Sequence, residues 1–418
     1  MSDTGPVLAA DGTPLKKSLQ RALRRQKMRA LGLIAPLLIF VLVTFIAPIA
    51  DMLFRSVEND IVVTTLPTTV VELAKWDATS GEMPGENVFA AFHADMVIAA
   101  EEKSHTRLGS RLNYELSGIS SLFRKTGRKV RNMDETLPYR EQFLEIDAKW
   151  GNVDIWQTIQ AYSGIYTTGY FLAAVDMMNT PDGPEMRPEN ERIYIKLFKR
   201  TIILSLTIMS TCIILGYPIA WLLANLPVRS ANVLLILVLL PFWTSLLVRT
   251  SAWKVLLQNQ GVINDMLVWV GLVADDNRLE LINNQTGTII AMTHILLPFM
   301  ILPLYSVMKG IQPTYLRAAK SLGATNWTAF WRVYFPQSIP GIGAGSILVF
   351  ILAIGYYITP ALVGGTDGTF ISNRIAYHIS SSLNWGLGAA LGAILLALVM
   401  VLYVLYDKIV GIDNVKLG

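Results

Sequence analysis

The sequence predicts an all-α membrane protein of about six transmembrane helices, with a large, mainly helical extracytoplasmic domain inserted between the first and the second. Three observations carry this. Charged residues are only 16% of the 418 residues and hydrophobic ones 52%, where a soluble domain carries about 25% charge, and mean hydropathy is +0.44. Apolar runs approaching the ~20 residues that cross a hydrocarbon core recur along the chain. From Arg55 to Lys196 the composition switches to charged, aromatic and Gly/Pro-punctuated sequence.

Residues 1–30 read as a basic cytoplasmic tail, because Lys16, Lys17, Arg21, Arg24, Arg25, Lys27 and Arg29 face no Asp or Glu between Pro14 and Arg29. Residues 31–54 form the first transmembrane helix. This run exceeds a signal-peptide core and has no small-x-small site after Ile46, so it is expected to stay uncleaved. The insert, 55–196, shows three-and-four apolar spacing in Val88–Glu102 and Tyr139–Lys149, which predicts helices, whereas Val/Thr-rich Ile61–Leu66 predicts a short strand. Residues 197–411 then hold five further spans: Thr201–Asn225, Asn232–Trp253, Thr286–Met308, Ile339–Val363 and Leu387–Tyr406. A hairpin occupies 312–336, and 412–418 is a second cytoplasmic tail. With an even number of spans, Arg229, Lys309, Arg317, Lys320, Arg332 and Lys408 all fall on the side of the basic tail. Both termini are then cytoplasmic and the insert is outside; the basic residues of the insert, such as Arg124 and Arg128, do not decide its side.

The composition also excludes functions. A net charge of +4 reads as membrane topology, with no nucleic acid partner. Cys212 is the single cysteine and the four His lack metal-ligand spacing, so no intrachain disulfide and no metal centre is expected. There is no Gly-x4-Gly-Lys-Ser/Thr phosphate loop, so ATP is expected to be bound elsewhere, and no cofactor is assigned to this chain. No Asp or Glu lies between Glu280 and Asp367 or within the second and third spans, which argues against proton or sodium coupling. No paired carboxylates or nucleophile motif lies in a span, so no catalytic residue is assigned and the chain is not read as an enzyme.

The hairpin is the most informative segment. Pro313 suits a helix first turn, Gly323 a left-handed stop, and Thr325 or Asn326 the cap of a second short helix that Pro336 ends. Two short helices meeting at a glycine elbow, small at Ala318 and Ala319 and aromatic at Trp327, Phe330 and Trp331, offer a compact knob for a cleft on another protein; lying against lipid headgroups is the other reading. Here the chain resembles a family. Ala318-Ala319, three residues, Gly323-Ala324, then Phe330, Val333 and Pro336 are similar to the coupling loop, usually Glu-Ala-Ala-x3-Gly, of permease subunits of binding-protein-dependent ABC importers. The resemblance implies a type I importer permease fold with this loop gripped by a cytoplasmic ATPase. Arg317 stands where the family's Glu is usual, which implies an acidic or neutral residue opposite it on the ATPase.

Leu240–Trp253, Leu297–Tyr305 and Gly355–Gly365 resemble the spermidine/putrescine branch, and the likeness covers about Thr201 to Leu405. It implies two copies of an ATPase that binds ATP and Mg, a second permease subunit in a heterodimer, a periplasmic substrate-binding protein, and a bacterial inner membrane. Pathway candidates are Trp243, Arg249 and Trp253 on the third span, His294 before Pro298, and Tyr356 and Tyr357 beside Pro360, whose rings suit organic cations. Each has a structural alternative: snorkelling for Arg249, an interhelical hydrogen bond for His294, packing for the tyrosines. The insert departs from that branch. Its aromatic residues, among them Trp76, Phe92, Trp150, Trp156, Tyr162, Tyr166 and Tyr170, form either a docking surface or the insert's own core. A membrane sensor with the insert as ligand module is the alternative function.

Overall fold

The computed structural model describes residues 15–180 and 183–410; residues 1–14 of the basic tail and the tail 412–418 lie outside the described residues. Two units are distinguished, residues 1–55 and 56–418. In the first, α1 (Leu15–Val41) passes through a π-turn at Leu42–Ile46 into α2 (Ala47–Arg55), and Leu23–Arg55 is long and apolar enough to cross a membrane. Helix thus begins at Leu15, well inside the segment read as a tail. Pro36, with no N–H to donate, precedes the π-turn.

The second unit opens with the insert: α3 (Ile61–Thr65), α4 (Pro67–Leu73), α5 (Glu86–Glu102), α6 (Ser104–Leu112), α7 (Ile119–Lys129), α8 (Tyr139–Ile146), α9 (Val153–Ala161) and α10 (Gly169–Ala174), then the antiparallel pair β1 (Met177–Thr180) and β2 (Gly183–Met186). The strand expected at Ile61–Leu66 is helical. Val62 and Leu66, four apart, are both fully buried, and burial of that helical face outweighs β-branched propensity. The insert's aromatic residues mostly form its own core: Phe89, Phe92, Phe123, Phe143, Trp150 and Trp156 have ring centroids 4.7 to 5.9 Å apart. The indole N–H groups are satisfied, Trp150 donating to Thr126 Oγ1 at 2.9 Å and Trp156 to the Trp150 carbonyl at 3.0 Å. Tyr166 is the exposed exception.

The membrane region comprises α11 (Tyr194–Asn225), α12 (Val228–Leu239), α13 (Leu246–Leu256), α14 (Val262–Trp269), α15 (Gln285–Gly310), α16 (Pro313–Ser321), α17 (Asn326–Ala329), α18 (Phe335–Gly355), α19 (Ile358–Val363), α20 (Ile371–Ser380) and α21 (Trp385–Val410). Among the described residues five helices are long and apolar enough to span, and there are six spans if the pair Val228–Trp243 and Leu246–Leu256, bent by 95°, counts as one. The core packs α11, α15 and α18 together, with Ile208, Cys212, Leu296, Met300, Leu304 and Val349 buried between them. Small residues allow this closeness: a Cβ on Gly345 would lie 2.6 Å from Met300 Sδ, and one on Gly341 3.0 Å from Val307 Cβ.

Three expected boundaries are corrected. The third span is not one helix to Trp253. It breaks at Trp243, because Pro241 opens a 3-10 turn and the Ser245 hydroxyl caps a new helix by accepting the Val248 N–H. Pro336 does not end the second hairpin helix; α17 runs through a π-turn at Phe330–Tyr334 into the span, and Pro336 lies just after that turn within the continuous helix Asn326–Gly355. That span ends at Gly355, so Tyr356 and Tyr357 lie beyond it and the interruption precedes Pro360.

Candidate functional site

The hairpin forms as its sequence dictates. Pro313 is in the first turn of α16 after Gln312. The helix closes with Gly323 N–H on the Lys320 carbonyl at 3.0 Å and Ala324 N–H on the Ala319 carbonyl at 3.0 Å, the Schellman pattern that needs a left-handed residue. Gly323 supplies it at φ +88. Thr325 caps α17, its hydroxyl accepting the Thr328 N–H at 3.2 Å. The elbow therefore projects Leu322, 89% exposed, and Trp327, 71% exposed. Arg317 and Ala318 are also exposed, while Ala319 and Ala324 are half-buried.

Phe330 and Val333 are half-buried at the base of the hairpin, where Phe330 packs on the core and the anchor is Tyr217, which sequence reasoning missed. Its ring meets Phe330 at 6.2 Å and Phe335 at 5.8 Å, and its hydroxyl pairs with Ser338 Oγ at 3.0 Å. Tyr217 thus ties α11 to both the hairpin and α18. The signal was its place in Gly216-Tyr217-Pro218, but its partners lie more than a hundred residues away.

At the other end of α11 the helices α13, α15, α19 and α20 meet. Trp253 Nε1–H donates to His294 Nδ1 at 3.0 Å, joining two of the predicted pathway residues. Thr250 and Thr359 share a buried hydroxyl contact at 3.1 Å, which seats α13 on α19. Arg249 is half-buried, its Nε without a hydrogen-bond partner among the described residues. The Tyr356–Tyr357 break is pinned to α20, as the Tyr356 carbonyl accepts from Ser372 at 2.7 Å and that of Tyr357 from Asn373 at 2.8 Å. Trp243, 76% exposed in the turn before the bend, is not joined to Trp253 or His294 by any ring contact among the described residues.

The insert is fastened to this same end by a polar junction that the sequence does not announce. Buried Asp176 accepts the N–H groups of Ile193, Tyr194 and Ile195 at 3.0, 2.9 and 2.7 Å, placing a carboxylate on the N-terminus of α11. Nearby, the Arg111 guanidinium lies 4.2 Å from the Tyr170 ring centre and 5.1 Å from that of Tyr162. Its Nε–H donates to Tyr170 Oη and its Nη1 pairs with Glu115, both at 2.7 Å. Arg187 and the Tyr162 hydroxyl complete the Glu115 pairings at 3.4 and 2.9 Å. Burial works against the Arg111 charge, but Tyr170 and Glu115 outweigh it, and its pKa is raised; burial raises that of Tyr170. Tyr170 in turn fills the space over Gly386, and Tyr194 Oη meets His378 Nε2 at 3.0 Å.

Residues 203–410 match the family described as binding-protein-dependent transport system inner membrane component. The chain is 36% identical over 226 residues to the spermidine/putrescine transport system permease protein PotB of Salmonella typhimurium (strain SL1344), covering 54% of this chain and 78% of that one. The PotB protein of Escherichia coli K12 is 36% identical over 213 residues, 51% of this chain and 76% of its own length. The inner membrane ABC transporter permease protein YdcU of the same strain is 31% identical over 267 residues, 60% and 82%. A solved bacterial ABC transporter involved in the import of the acidic polysaccharide alginate aligns at TM-score 0.42 and 18% identity, over 71% of this chain and 100% of that one. The chain belongs to the family of binding-protein-dependent transport system inner membrane components, as a multi-pass ABC importer permease. The family match begins at residue 203, beyond the insert.

Proposed function

We propose that this chain is one transmembrane subunit of an ATP-driven importer that passes a small polyamine-like cation from a periplasmic binding protein into the cytoplasm. Two copies of a cytoplasmic ATPase bind ATP and Mg and supply the hydrolysis, and a second permease completes a heterodimeric pore. Both termini are cytoplasmic, and the insert is periplasmic.

The observation that carries this reading is the projecting, glycine-elbowed hairpin, seated through Tyr217 on α11 and continuous with α18. A cleft on the ATPase that grips Leu322 and the Ala318–Ala319 face moves the hairpin when the ATPases close. Because α17 runs into α18 without a break, that motion enters the span directly. It is delivered at Gly355 to the Tyr356–Tyr357 break, at the end of the bundle where Trp253, His294 and α19 meet. There, aromatic faces offer cation–π attraction, and the absence of a carboxylate between Glu280 and Asp367 leaves selection to the binding protein or the sister permease. Arg317 calls for an acidic or neutral residue facing it on the ATPase; a cognate ATPase with Lys or Arg there contradicts this detail.

The test is ATP hydrolysis by the reconstituted complex with its binding protein, against putrescine, spermidine, other small cations and amino acid derivatives. Stimulation by a polyamine is expected. Stimulation by another solute alone keeps the importer and discards the substrate class, and no coupled hydrolysis with any partner overturns the reading.

A further inference from the structure

Between the bent third span and α15, the short helix α14 carries an apolar stripe that nothing else in the described chain covers. Val262, Met266, Trp269 and Val270 recur at four-, three- and one-residue steps and so share one face, and all four are exposed. Trp269 is 87% exposed, and Leu272, just past the left-handed turn at Gly271, is 72% exposed. The other side of the segment is polar and firmly built. Asn264 is fully buried, its amide donating to the Leu279 carbonyl at 3.0 Å and accepting the Leu279 N–H at 3.1 Å. Arg278 pairs with Asp265 and Asp275, both at 2.7 Å. Asp265, Asp275 and Arg278 line an open cleft of about 530 Å³ with Asn259, Gln260 and Asp276.

We propose that α14 lies in the plane of the membrane surface, its apolar stripe sunk into the boundary between lipid headgroups and acyl chains and its acidic cleft turned to water. The occupant of the stripe is lipid, and three features argue for it. At eight residues, α14 is about 12 Å long and cannot cross the bilayer. It follows α13, which the 95° bend after Trp243 has already turned away from the direction of α12 and which exposes Leu247, Val248 and Val255. A tryptophan at its end, with the Asp265–Arg278–Asp275 cluster along the flank of the stripe, is the distribution of an interfacial anchor. Assignment to the outer surface rests on the topology proposed above; the depth of the helix does not. The anchor fixes the height of the broken span, and with it the Trp253–His294 contact, relative to the bilayer.

Single cysteines at Met266, Trp269 and Asp276, in a Cys212→Ala background, are spin-labelled in the full-length chain assembled with its partner subunits in lipid nanodiscs. Power saturation compares access of dissolved oxygen with that of a water-soluble nickel chelate. Labels at 266 and 269 are expected to favour oxygen, at a depth of about 5–10 Å below the headgroups, and the label at 276 to favour nickel. Nickel preference at 266 and 269 overturns the proposal, as does shielding of both from either reagent, which places a sister subunit on the stripe. Because the measurement needs no transport, its outcome is separate from that of the importer reading.

Discussion

Gly386 in the first turn of α21 lies directly against Tyr170 of the insert. A Cβ there would sit 2.3 Å from Tyr170 Cζ and 2.4 Å from Cε2, so something must give. The Tyr170 ring is buried, its hydroxyl held by Arg111 Nε–H and its face covered by the guanidinium, and it cannot swing away without unseating Arg111 from Glu115. Overpacking of this kind costs about 1–3 kcal/mol, and a displaced buried charge adds to it. A Cβ on Gly388, further along the same helix, would meet nothing closer than Ile379 Cγ1, at 3.1 Å. Gly386→Ala is therefore expected to destabilise the junction by about 2 kcal/mol, roughly a thirtyfold rise in the opened fraction, and Gly388→Ala by under about 1 kcal/mol. The assay is limited proteolysis of the insert in the assembled complex, with the melting temperature as companion. Tyr170→Ala combined with Gly386→Ala should lose less than the sum of the two, since the smaller side chain removes the clash. Equal stability of Gly386→Ala and wild type, or strict additivity in the double variant, refutes the reasoning.

Gly323→Ala places a side chain at φ +88 in open space, so the expected loss is the left-handed strain alone, about 1–2 kcal/mol. Gly323→Asn should retain more coupled ATP hydrolysis than Ala, whereas Gly323→Asp, which tolerates the turn but puts a negative charge into the proposed ATPase cleft, should abolish it with membrane insertion intact, read by hydrolysis and membrane content. Asp176→Ala removes the acceptor of three N–H groups at the start of α11, with an expected loss of about 1–3 kcal/mol, visible as faster hydrogen exchange at residues 193–195. His378 is pulled by burial, then by Arg374, from 6.5 down to about 4. A histidine with a depressed pKa stabilises the fold above pH 6.5 and loses that contribution as pH falls toward about 4. Melting temperature should therefore drop across this window in the wild type and change less in His378→Gln.

The spans were legible because each is a local apolar run, and the hairpin because Pro313, Gly323 and Thr325 act on their own neighbours through fixed φ, a left-handed turn and a cap. The break at Trp243 was also written locally, in Pro241 and in Ser245, but the apolar run on both sides masked it. Ile61–Leu66 misled because β-branched residues favour strands only weakly, and the burial of Val62 and Leu66 on one helical face decided the matter. The junction of Arg111, Glu115, Tyr170, Asp176 and Gly386 was not legible at all. Arg111 and Tyr170 are 59 residues apart, and nothing local marks an arginine that will be buried between two tyrosines. Likewise Tyr217 reads as an ordinary span aromatic until Phe330 and Ser338 fold against it.

The most direct test is Leu322→Cys, at the 89% exposed tip of the hairpin, in a Cys212→Ala background and paired with cysteines along the proposed ATPase cleft. A disulfide is expected between the two subunits, suppressing substrate-stimulated ATP hydrolysis and releasing it on reduction. A thiol at position 322 that stays freely reactive to maleimide in the assembled, actively transporting complex contradicts it.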